Sequence, residues 1–342
     1  MNNAYFMLGD FQVYYSSVVI TAGIFLCWVM TLYLYWRSGR NTAAVHVFAV
    51  FAFVLSVIIS RFLHWYFNSE SYSSLSSAMT DYSYGSYALP GMIIAIWISA
   101  VIVKKTGLAR YAGKLLDCAA PGVCLLIAFI RLSALFNNTC KGKMIIKNES
   151  FQFLPIAYPV ADAAGKISYR FATFFVQFLI MLIVTVIVWN LYFKQQSTKM
   201  RKPCPKTGNV ARLAMVFYGA VEIIADSTRY DSPLMHFKFI SFLNQYSAFI
   251  SLAQVFAAAM MLGILIYYSV KSIKGYGFSW LHPLCWVMFG AGLFGVGKLG
   301  EYNVQRYATY GRCYAIMAVS LVIVSLSIYM LYCACKRSEE GN

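Results

Sequence analysis

Long apolar stretches, separated by short polar or basic segments, recur along the whole chain of 342 residues. A helix needs about 20 mainly apolar residues to cross the hydrocarbon core of a bilayer, and several of these stretches reach or exceed that length. Hydrophobic residues make up 60% of the chain and charged residues 12%. A typical soluble domain contains about 25% charged residues. The sequence therefore predicts an all-α, polytopic integral membrane protein.

The apolar stretches predict about nine transmembrane helices. Their ranges are about 14–36, 44–67, 88–104, 115–136, 169–193, 209–226, 245–270, 279–298 and 311–335. Most lysines and arginines fall in the segments that follow the odd-numbered spans, whereas the segment 68–87 carries only the charges of Glu70 and Asp81. By the positive-inside rule, this alternation places the N-terminus outside and the C-terminus in the cytoplasm.

The net charge of +16 does not indicate a nucleic-acid-binding protein, because the basic residues are concentrated in short segments that set membrane orientation. A weak boundary near residues 272–278 separates seven spans from a terminal pair. We therefore predict a seven-span membrane domain over residues 1–271 and an additional two-span C-terminal extension over residues 272–342. At the outer end of the eighth span, Lys298 and Glu301 are expected to form an interfacial pair.

Arg131 lies inside the fourth apolar stretch. An arginine at the middle of a membrane costs at least about 2.5–3.5 kcal/mol on insertion scales, and intramembrane ionisable residues generally belong to functional sites. In the predicted orientation Arg131 lies about five residues before the outer end of its span, roughly 8 Å at 1.5 Å per residue. Other charged residues fall at a similar predicted height: Arg61, Arg170, Glu222, Asp226, Arg229 and Asp231.

Two interpretations of these charges are open. A guanidinium presents forked donors that match phosphate oxygens, and phospholipid headgroups lie at this height, so the arginines would form a lipid phosphate site. Alternatively, the arginines at 61, 131 and 170 reach toward the interface or pair with carboxylates. The candidate carboxylates are Glu222 and Asp226, which lie four residues apart on one predicted helix face, and Asp231.

Short motifs distributed over residues 5–265 form one pattern. They are Phe6-Met7-Leu8-Gly9 with Val13-Tyr14-Tyr15, Ser60-Arg61-Phe62-Leu63, Asp117-Cys118-Ala119-Ala120-Pro121-Gly122, Arg131-Leu132-Ser133-Ala134-Leu135-Phe136-Asn137 followed by Gly142, Tyr218-Gly219 followed by Arg229-Tyr230-Asp231, and Ser251-Leu252-Ala253-Gln254. This pattern resembles the prolipoprotein diacylglyceryl transferase family. Its signature, Arg-Ile-Gly-Asn-Phe-x-Asn-x-Glu, is similar to the motif that begins at Arg131.

The resemblance implies a transfer reaction at the outer leaflet of a bacterial plasma (inner) membrane, carried out by a multi-pass protein. The diacylglyceryl group of phosphatidylglycerol would move to the lipobox cysteine of a prolipoprotein, with release of glycerol 1-phosphate. The implied partners are phosphatidylglycerol, the prolipoprotein lipobox peptide and membrane lipid, without nucleic acid. No metal or cofactor is implied.

The resemblance also implies roles for individual residues. Arg131 would anchor the lipid phosphate and stabilise the charge that builds on the leaving group. Tyr15 and Asp226 are further catalytic candidates at positions similar to the family pattern. The substrate-binding candidates are Arg61, Arg170, Arg229, Asn137 and Gly142.

Two departures from the family pattern bear on catalysis. Leu89-Pro90-Gly91 stands where the family has His-Gly-Gly, so the family histidine is missing. His64, three residues after Arg61 on the same predicted helix face, is the candidate general base that could replace it. Glu222 stands where the family has an arginine in its sixth span. A phosphate site would be weakened by this carboxylate unless Glu222 pairs with Arg131 or Arg170.

Three functional classes follow from these observations. The first is an active, divergent diacylglyceryl transferase. The alternative is a catalytically inactive paralogue that binds anionic lipid or a lipoprotein precursor. A transporter or channel ranks last, because its charges should be distributed across the membrane, whereas the charges here concentrate near one face.

Overall fold

The computed structural model describes residues 5–8, 11–67, 74–80, 88–137, 140–161, 167–199, 208–230, 250–307 and 310–340. In chain order the helices are α1 (Tyr15–Arg37), α2 (Ala43–Phe67), α3 (Leu75–Thr80), α4 (Leu89–Lys105), α5 (Ala112–Ser133), α6 (Glu149–Gln152), α7 (Thr173–Lys199), α8 (Asn209–Thr228), α9 (Leu252–Tyr276), α10 (Leu281–Phe294), α11 (Tyr302–Tyr307) and α12 (Tyr310–Glu340). A π-helical segment, Gly295–Glu301, joins α10 to α11. The strands are β1 (Tyr5–Leu8), β2 (Phe11–Tyr14), β3 (Ala157–Ala161) and β4 (Ile167–Phe171).

Most of the predicted spans are helices of membrane-crossing length. Within the described ranges, seven helical stretches are long and apolar enough to cross a bilayer: Tyr15–Arg37, Ala43–Tyr66, Ala112–Ser133, Thr173–Gln196, Leu252–Gly275, Leu281–Tyr307 and Tyr310–Lys336. The other two predicted spans correspond to α4, with 17 residues, and α8, with 20 residues. The prediction of an all-α polytopic membrane protein is confirmed. The count of nine spans and the orientation of the termini stay predictions.

Two antiparallel β-hairpins interrupt the helical pattern, and the apolar stretches did not predict them. In the first hairpin Tyr5 lies opposite Tyr14, and in the second Tyr158 lies opposite Arg170. Arg170 was expected to open the fifth span, but it lies in β4 and the helix begins at Thr173. The strand forms because isoleucine, tyrosine and phenylalanine alternate with polar residues in β4, and such residues favour extended backbone.

The chain divides into two compact units. The first unit comprises Met1–Val18, Ile130–Met181 and Met215–Asn342. The second unit comprises Val19–Phe129 and Leu182–Ala214. Arg131, Arg170, Asp226 and Arg229 therefore belong to the first unit, whereas Arg61 and His64 belong to the second.

In the second unit, Asp117 caps the N-terminus of α8. Its carboxylate accepts hydrogen bonds from the backbone N–H groups of Gly208, at 2.6 Å, and Ala211, at 3.0 Å. Amides in the first turn of a helix lack partners within the helix, and the helix dipole favours a negative charge there. Asp117 is buried, so this residue of the family-like Asp-x-x-Ala-Pro motif holds the start of a helix in place.

The first unit has a hydrophobic core that joins α8 and α9 to the C-terminal helices. Its buried members are Val216, Ile223, Ala257, Met261, Ile264, Leu265, Tyr268, Cys285, Phe289, Val296, Met317, Leu321, Val324, Ile328, Leu331 and Cys335. Glycines let α10 approach α12 closely, since a Cβ atom on Gly292 would lie 2.5 Å from the Val324 side chain. The predicted extension over residues 272–342 thus shares a core with α8 and α9, and its status as a separate domain stays a prediction.

Candidate functional site

Buried and partly buried polar side chains among the described residues of the first unit form two neighbouring sets, and hydrogen bonds and ion pairs join the members of each set. We call these side chains the polar network: Arg131, Gln177, Glu222, Asp226, Arg229, Ser251, Gln254, Glu301 and Gln305. They come from the C-terminal turns of α5 and α8, the N-terminal turns of α7 and α9, and the π segment with α11. The predicted topology places all of these helix ends at the outer face of the membrane.

Arg131 and Glu222 form the first part of the polar network. The Arg131 side chain is almost fully buried, and its Nη2 atom lies 2.5 Å from Glu222 Oε1. The other carboxylate oxygen accepts a hydrogen bond of 2.7 Å from Gln177 Nε2. A buried ion pair needs such additional hydrogen bonds, because both charges have lost their hydration. Among the described residues, Arg131 Nε has no hydrogen-bond partner.

Asp226 lies one helical turn after Glu222 and organises the second part of the polar network. One of its oxygens pairs with Arg229 Nη1 at 3.1 Å, and the other accepts a hydrogen bond from the Ser251 hydroxyl. Ser251 is also the N-cap of α9, where its hydroxyl and the Gln254 side chain form a capping box. The capping sequence Ser-x-x-Gln therefore places a hydroxyl donor against a buried carboxylate.

Glu301, the last residue of the π segment, is the third carboxylate of the polar network. Its carboxylate accepts hydrogen bonds from Gln254 Nε2, at 3.1 Å, and from Gln305 Nε2, at 2.7 Å. The side chain is 3% exposed. The prediction that Lys298 pairs with Glu301 is wrong, because among the described residues Glu301 is hydrogen-bonded to the two glutamines. The Lys298 ammonium lies over the Tyr302 ring, 4.2 Å from its centroid, because the π segment turns Glu301 toward the interior.

Backbone hydrogen bonds tie the segment after α5 to the end of α8. The N–H of Lys143 donates to Thr228 O, and the N–H of Tyr230 donates to Lys141 O, both at 2.8 Å. Gly142 lies between these contacts and pairs with Arg229 in an isolated bridge. A Cβ atom at Gly142 would lie 2.5 Å from the backbone oxygen of Phe171. Glycine is required here because two backbone segments approach closely.

Lys141, Lys143 and Arg170 are further cations in the segment that connects α5 to α7. The Lys141 ammonium lies 5.0 Å from the Tyr158 ring centroid, and the Arg170 guanidinium lies 4.8 Å from the Tyr230 ring centroid. Burial lowers the pKa of the Lys143 ammonium, while the nearby carboxylates of Glu301 and Asp226 act in the opposite direction. The carboxylates of the polar network are thus balanced by the charges of Arg131, Arg229 and Lys143.

Two other predicted site residues lie in the first unit. Tyr15 is the first residue of α1 and is partly exposed, with its ring against those of Phe136, at 5.6 Å, and Phe6, at 5.4 Å. Asn137 follows α5, and its side-chain oxygen accepts no hydrogen bond from the described residues. Asp231 lies outside the described residues.

The remaining predicted residues, Arg61 and His64, lie on α2 in the second unit. Arg61 is buried. The prediction that its guanidinium shares a site with Arg131 stays a prediction, as does the role of His64 as general base.

Sequence reasoning assigned no role to Gln177, Lys143 or Gln254, and it misplaced Glu301. Two signals in the sequence were available. The Ser-x-x-Gln sequence predicts a capped helix start at Ser251, and a glutamate inside an apolar span is by default a functional residue. For Gln177 and Lys143 the sequence carries no comparable signal.

The buried ion pairs at one end of a helical membrane bundle define a membrane protein with an intramembrane polar site. The family model of prolipoprotein diacylglyceryl transferase matches residues 3–270, and the chain belongs to this family. The resemblance deduced from the motifs is confirmed. The match ends before α10, so the π segment and Glu301 lie outside it.

Three relatives carry the name phosphatidylglycerol–prolipoprotein diacylglyceryl transferase. The protein from Streptococcus agalactiae serotype Ia is 25% identical over 227 residues, which cover 66% of this chain and 83% of the relative. The protein from Lactococcus lactis subsp. lactis is 24% identical over 237 residues, covering 69% of this chain and 85% of the relative. The protein from Bacillus mycoides is 27% identical over 147 residues, which cover 41% of this chain and 52% of the relative.

Proposed function

We propose that this protein transfers the diacylglyceryl group of phosphatidylglycerol to the lipobox cysteine of prolipoproteins at the outer leaflet of a bacterial plasma membrane. Family membership and the activity named for the three relatives support the proposal. The observation that carries it is the buried Arg131, which lies in the signature-like motif and belongs to a network of charged groups at one end of the helices. Phosphatidylglycerol and the lipobox peptide are the proposed partners.

The proposed role of Arg131 is to bind the phosphodiester of the lipid. In the described structure its guanidinium is paired with Glu222. A lipid phosphate would take the place of this carboxylate, and Arg131 Nε, which has no partner among the described residues, supplies a further donor. Glu222 would keep its hydrogen bond from Gln177.

The proposed reaction exchanges one bond for another at a glyceryl carbon of phosphatidylglycerol. The cysteine sulfur forms a C–S bond as the bond between that carbon and the phosphate oxygen breaks, and glycerol 1-phosphate leaves with the bonding electrons. The attacking species is the thiolate, so the thiol proton must pass to a base. Asp226 and His64 are the proposed candidates. Arg131 would stabilise the negative charge that develops on the departing phosphate.

The other predicted residues are proposed to bind and orient the substrates. Arg229 and Arg170 would contribute positive charge toward the lipid headgroup, and the sequence predicts the same role for Arg61. Asn137 would offer a side-chain oxygen that accepts no hydrogen bond from the described residues. Gly142 would act through the backbone, because it fixes the segment that covers Arg229. Tyr15, exposed at the start of α1, is the proposed aromatic contact for the reacting groups.

The Arg131–Glu222 pair also supports the second candidate, an inactive paralogue that binds anionic lipid or lipoprotein precursor without chemistry. Complementation of a transferase-depleted bacterium separates the two candidates. An active transferase restores the mass increase of a reporter lipoprotein, and Arg131→Ala lowers the rate at least about 100-fold, as expected when a donor to the developing charge is lost. Glu149→Gln, at an exposed position in α6, is the matched control. Lipid binding without any mass increase would identify the inactive paralogue.

A further inference from the structure

Glu301 is a buried carboxylate that the family match does not include. It ends the π segment, it is 3% exposed, and both of its oxygens accept hydrogen bonds from glutamine side chains. π-helical turns are rare and often occur at functional sites. The C-terminal helices therefore contribute a charged group to the polar network, in addition to their apolar packing against α9.

The Glu301 carboxylate and the Ile223 carbonyl oxygen both accept hydrogen bonds from the Gln254 amide nitrogen, at 3.1 and 3.2 Å, and together they set which way the amide points. A carboxylate only accepts hydrogen bonds, so the amide nitrogen of Gln254 must face it. The amide oxygen then faces the opposite way and accepts a hydrogen bond of 3.0 Å from the Ser251 N–H. A neutral partner at position 301 would leave only neutral acceptors, the Ile223 oxygen among them, for the Gln254 amide nitrogen, and the capping box would be held less firmly.

The capping box in turn orients the groups at Asp226. The Gln254 N–H donates to the Ser251 hydroxyl oxygen at 3.2 Å, which leaves the hydroxyl hydrogen free to point at Asp226. Asp226 holds the Arg229 guanidinium with its other oxygen. A continuous series of hydrogen bonds thus runs from Glu301 through Gln254 to Arg229.

We propose that Glu301 is a positioning residue of the transferase site, which holds Arg229 in place through Gln254, Ser251 and Asp226. The inference rests on the proposed function, because Arg229 is assigned there to the phosphatidylglycerol headgroup. It adds a residue from the C-terminal helices to a site whose other members lie within the family-matched part of the chain.

Glu301→Gln tests the proposal with minimal change in side-chain size. Phosphatidylglycerol binding to the purified full-length protein in detergent should weaken about tenfold, the scale of a lost hydrogen bond to a charged group. In the transfer assay the KM for phosphatidylglycerol should rise by a similar factor while kcat changes less than about twofold. Glu149→Gln should leave both quantities unchanged.

A reciprocal exchange provides the rescue. In Glu301→Gln/Gln254→Glu the amide and the carboxylate trade places, so the pair can form again and position 254 can still accept from the Ser251 N–H, while the hydrogen bond to the Ile223 oxygen is lost. Phosphatidylglycerol affinity should therefore recover in part, to a value above that of Glu301→Gln alone. If Glu301→Gln does not fold, Gln305→Leu, at a partly exposed position, removes one hydrogen bond from Glu301 and should weaken binding in the same direction.

Several outcomes would overturn the proposal or separate it from the proposed function. Unchanged phosphatidylglycerol affinity in both Glu301→Gln and Gln305→Leu would refute the positioning role. A large fall in kcat with a shifted pH profile and an unchanged KM would also refute it, since Glu301 would then act in the chemistry itself. If the protein binds phosphatidylglycerol in a Glu301-dependent way but never transfers the lipid, the proposed activity fails and the positioning role stands.

Discussion

The Arg131 guanidinium and the Glu222 carboxylate face each other inside the first unit, with 2.5 Å between Nη2 and Oε1. Glu222 therefore occupies the position at which Arg131 would receive an anionic ligand. A phosphate that binds Arg131 must compete with a carboxylate that is already desolvated and oriented by Gln177. If the proposed lipid binds here, the strength of this competition would determine its affinity.

Replacing Glu222 with glutamine should make the protein depend on anionic lipid for stability. Removing the charge of one partner of a buried ion pair lowers the free energy of unfolding by about 3–5 kcal/mol, because the other charge stays buried without compensation. The Tm of Glu222→Gln in detergent should fall, and phosphatidylglycerol should restore it by supplying the missing negative charge. Diacylglycerol, which has no phosphate, should not restore the Tm. Equal effects of the two lipids would contradict this explanation.

Replacing both partners of the pair should separate stability from function. Arg131→Leu alone should lower the free energy of unfolding by about 3–5 kcal/mol, whereas Arg131→Leu/Glu222→Leu should be close to neutral, since apolar side chains can replace a buried ion pair. Neither variant should transfer lipid. Thermal unfolding in detergent and the lipoprotein mass assay measure the two effects. Transfer by the double variant would exclude Arg131 as the phosphate anchor.

Gly142→Ala should disturb the backbone contact between the segment after α5 and β4. The new methyl group would meet the Phe171 oxygen at 2.5 Å, and such overpacking typically destabilises a protein by about 1–3 kcal/mol. Gly290→Ala is the matched control, because a Cβ atom there meets nothing within 4 Å. The control should be neutral or slightly stabilising, as expected for alanine in a helix. Similar Tm values for the two variants would argue against the close approach at Gly142.

Because of Lys143, the free energy of unfolding should change with pH in the alkaline range. Burial lowers its pKa in the folded protein below the ordinary value of 10.5, so the unfolded chain binds more protons between these two pKa values. Stability should therefore rise with pH in that window, and the penalty for burying the charged form should be fully present below it. In Lys143→Met this rise should disappear, as measured by chemical denaturation across alkaline pH. A rise of the same size in the variant would assign the effect to another group.

The membrane fold was predictable because hydrocarbon imposes a strong and simple requirement on sequence. Long apolar stretches identified the nine longer helices of the described chain, and even α4, with only 17 residues, was recognised. The short helices α3, α6 and α11 were not predicted. The β3–β4 hairpin was not recognised, because it pairs residues that are separated along the chain, such as Tyr158 and Arg170, which are twelve positions apart. Such pairing produces no long apolar stretch in the sequence. Strand pairing is a tertiary property that single-sequence patterns record poorly.

Part of the candidate site was predictable for a different reason. Charges in apolar stretches are costly, so Arg131, Asp226 and Arg229 stood out, and their family-like motifs suggested a phosphate ligand. Glu222 was named as a possible partner of Arg131, but the glutamines that orient the carboxylates did not stand out. Glu301 was predicted to face the interface because it lies at the outer end of the eighth predicted span, whereas in the structure it ends the π segment and is buried.

The C-terminal helices cover apolar and polar groups of helices that precede them in the chain. A protein shortened to the family-matched length would expose Met261 and Leu265 of α9, which are now fully buried, and would leave the Gln254 amide without its carboxylate partner. Loss of these helices would therefore require compensating substitutions in α9.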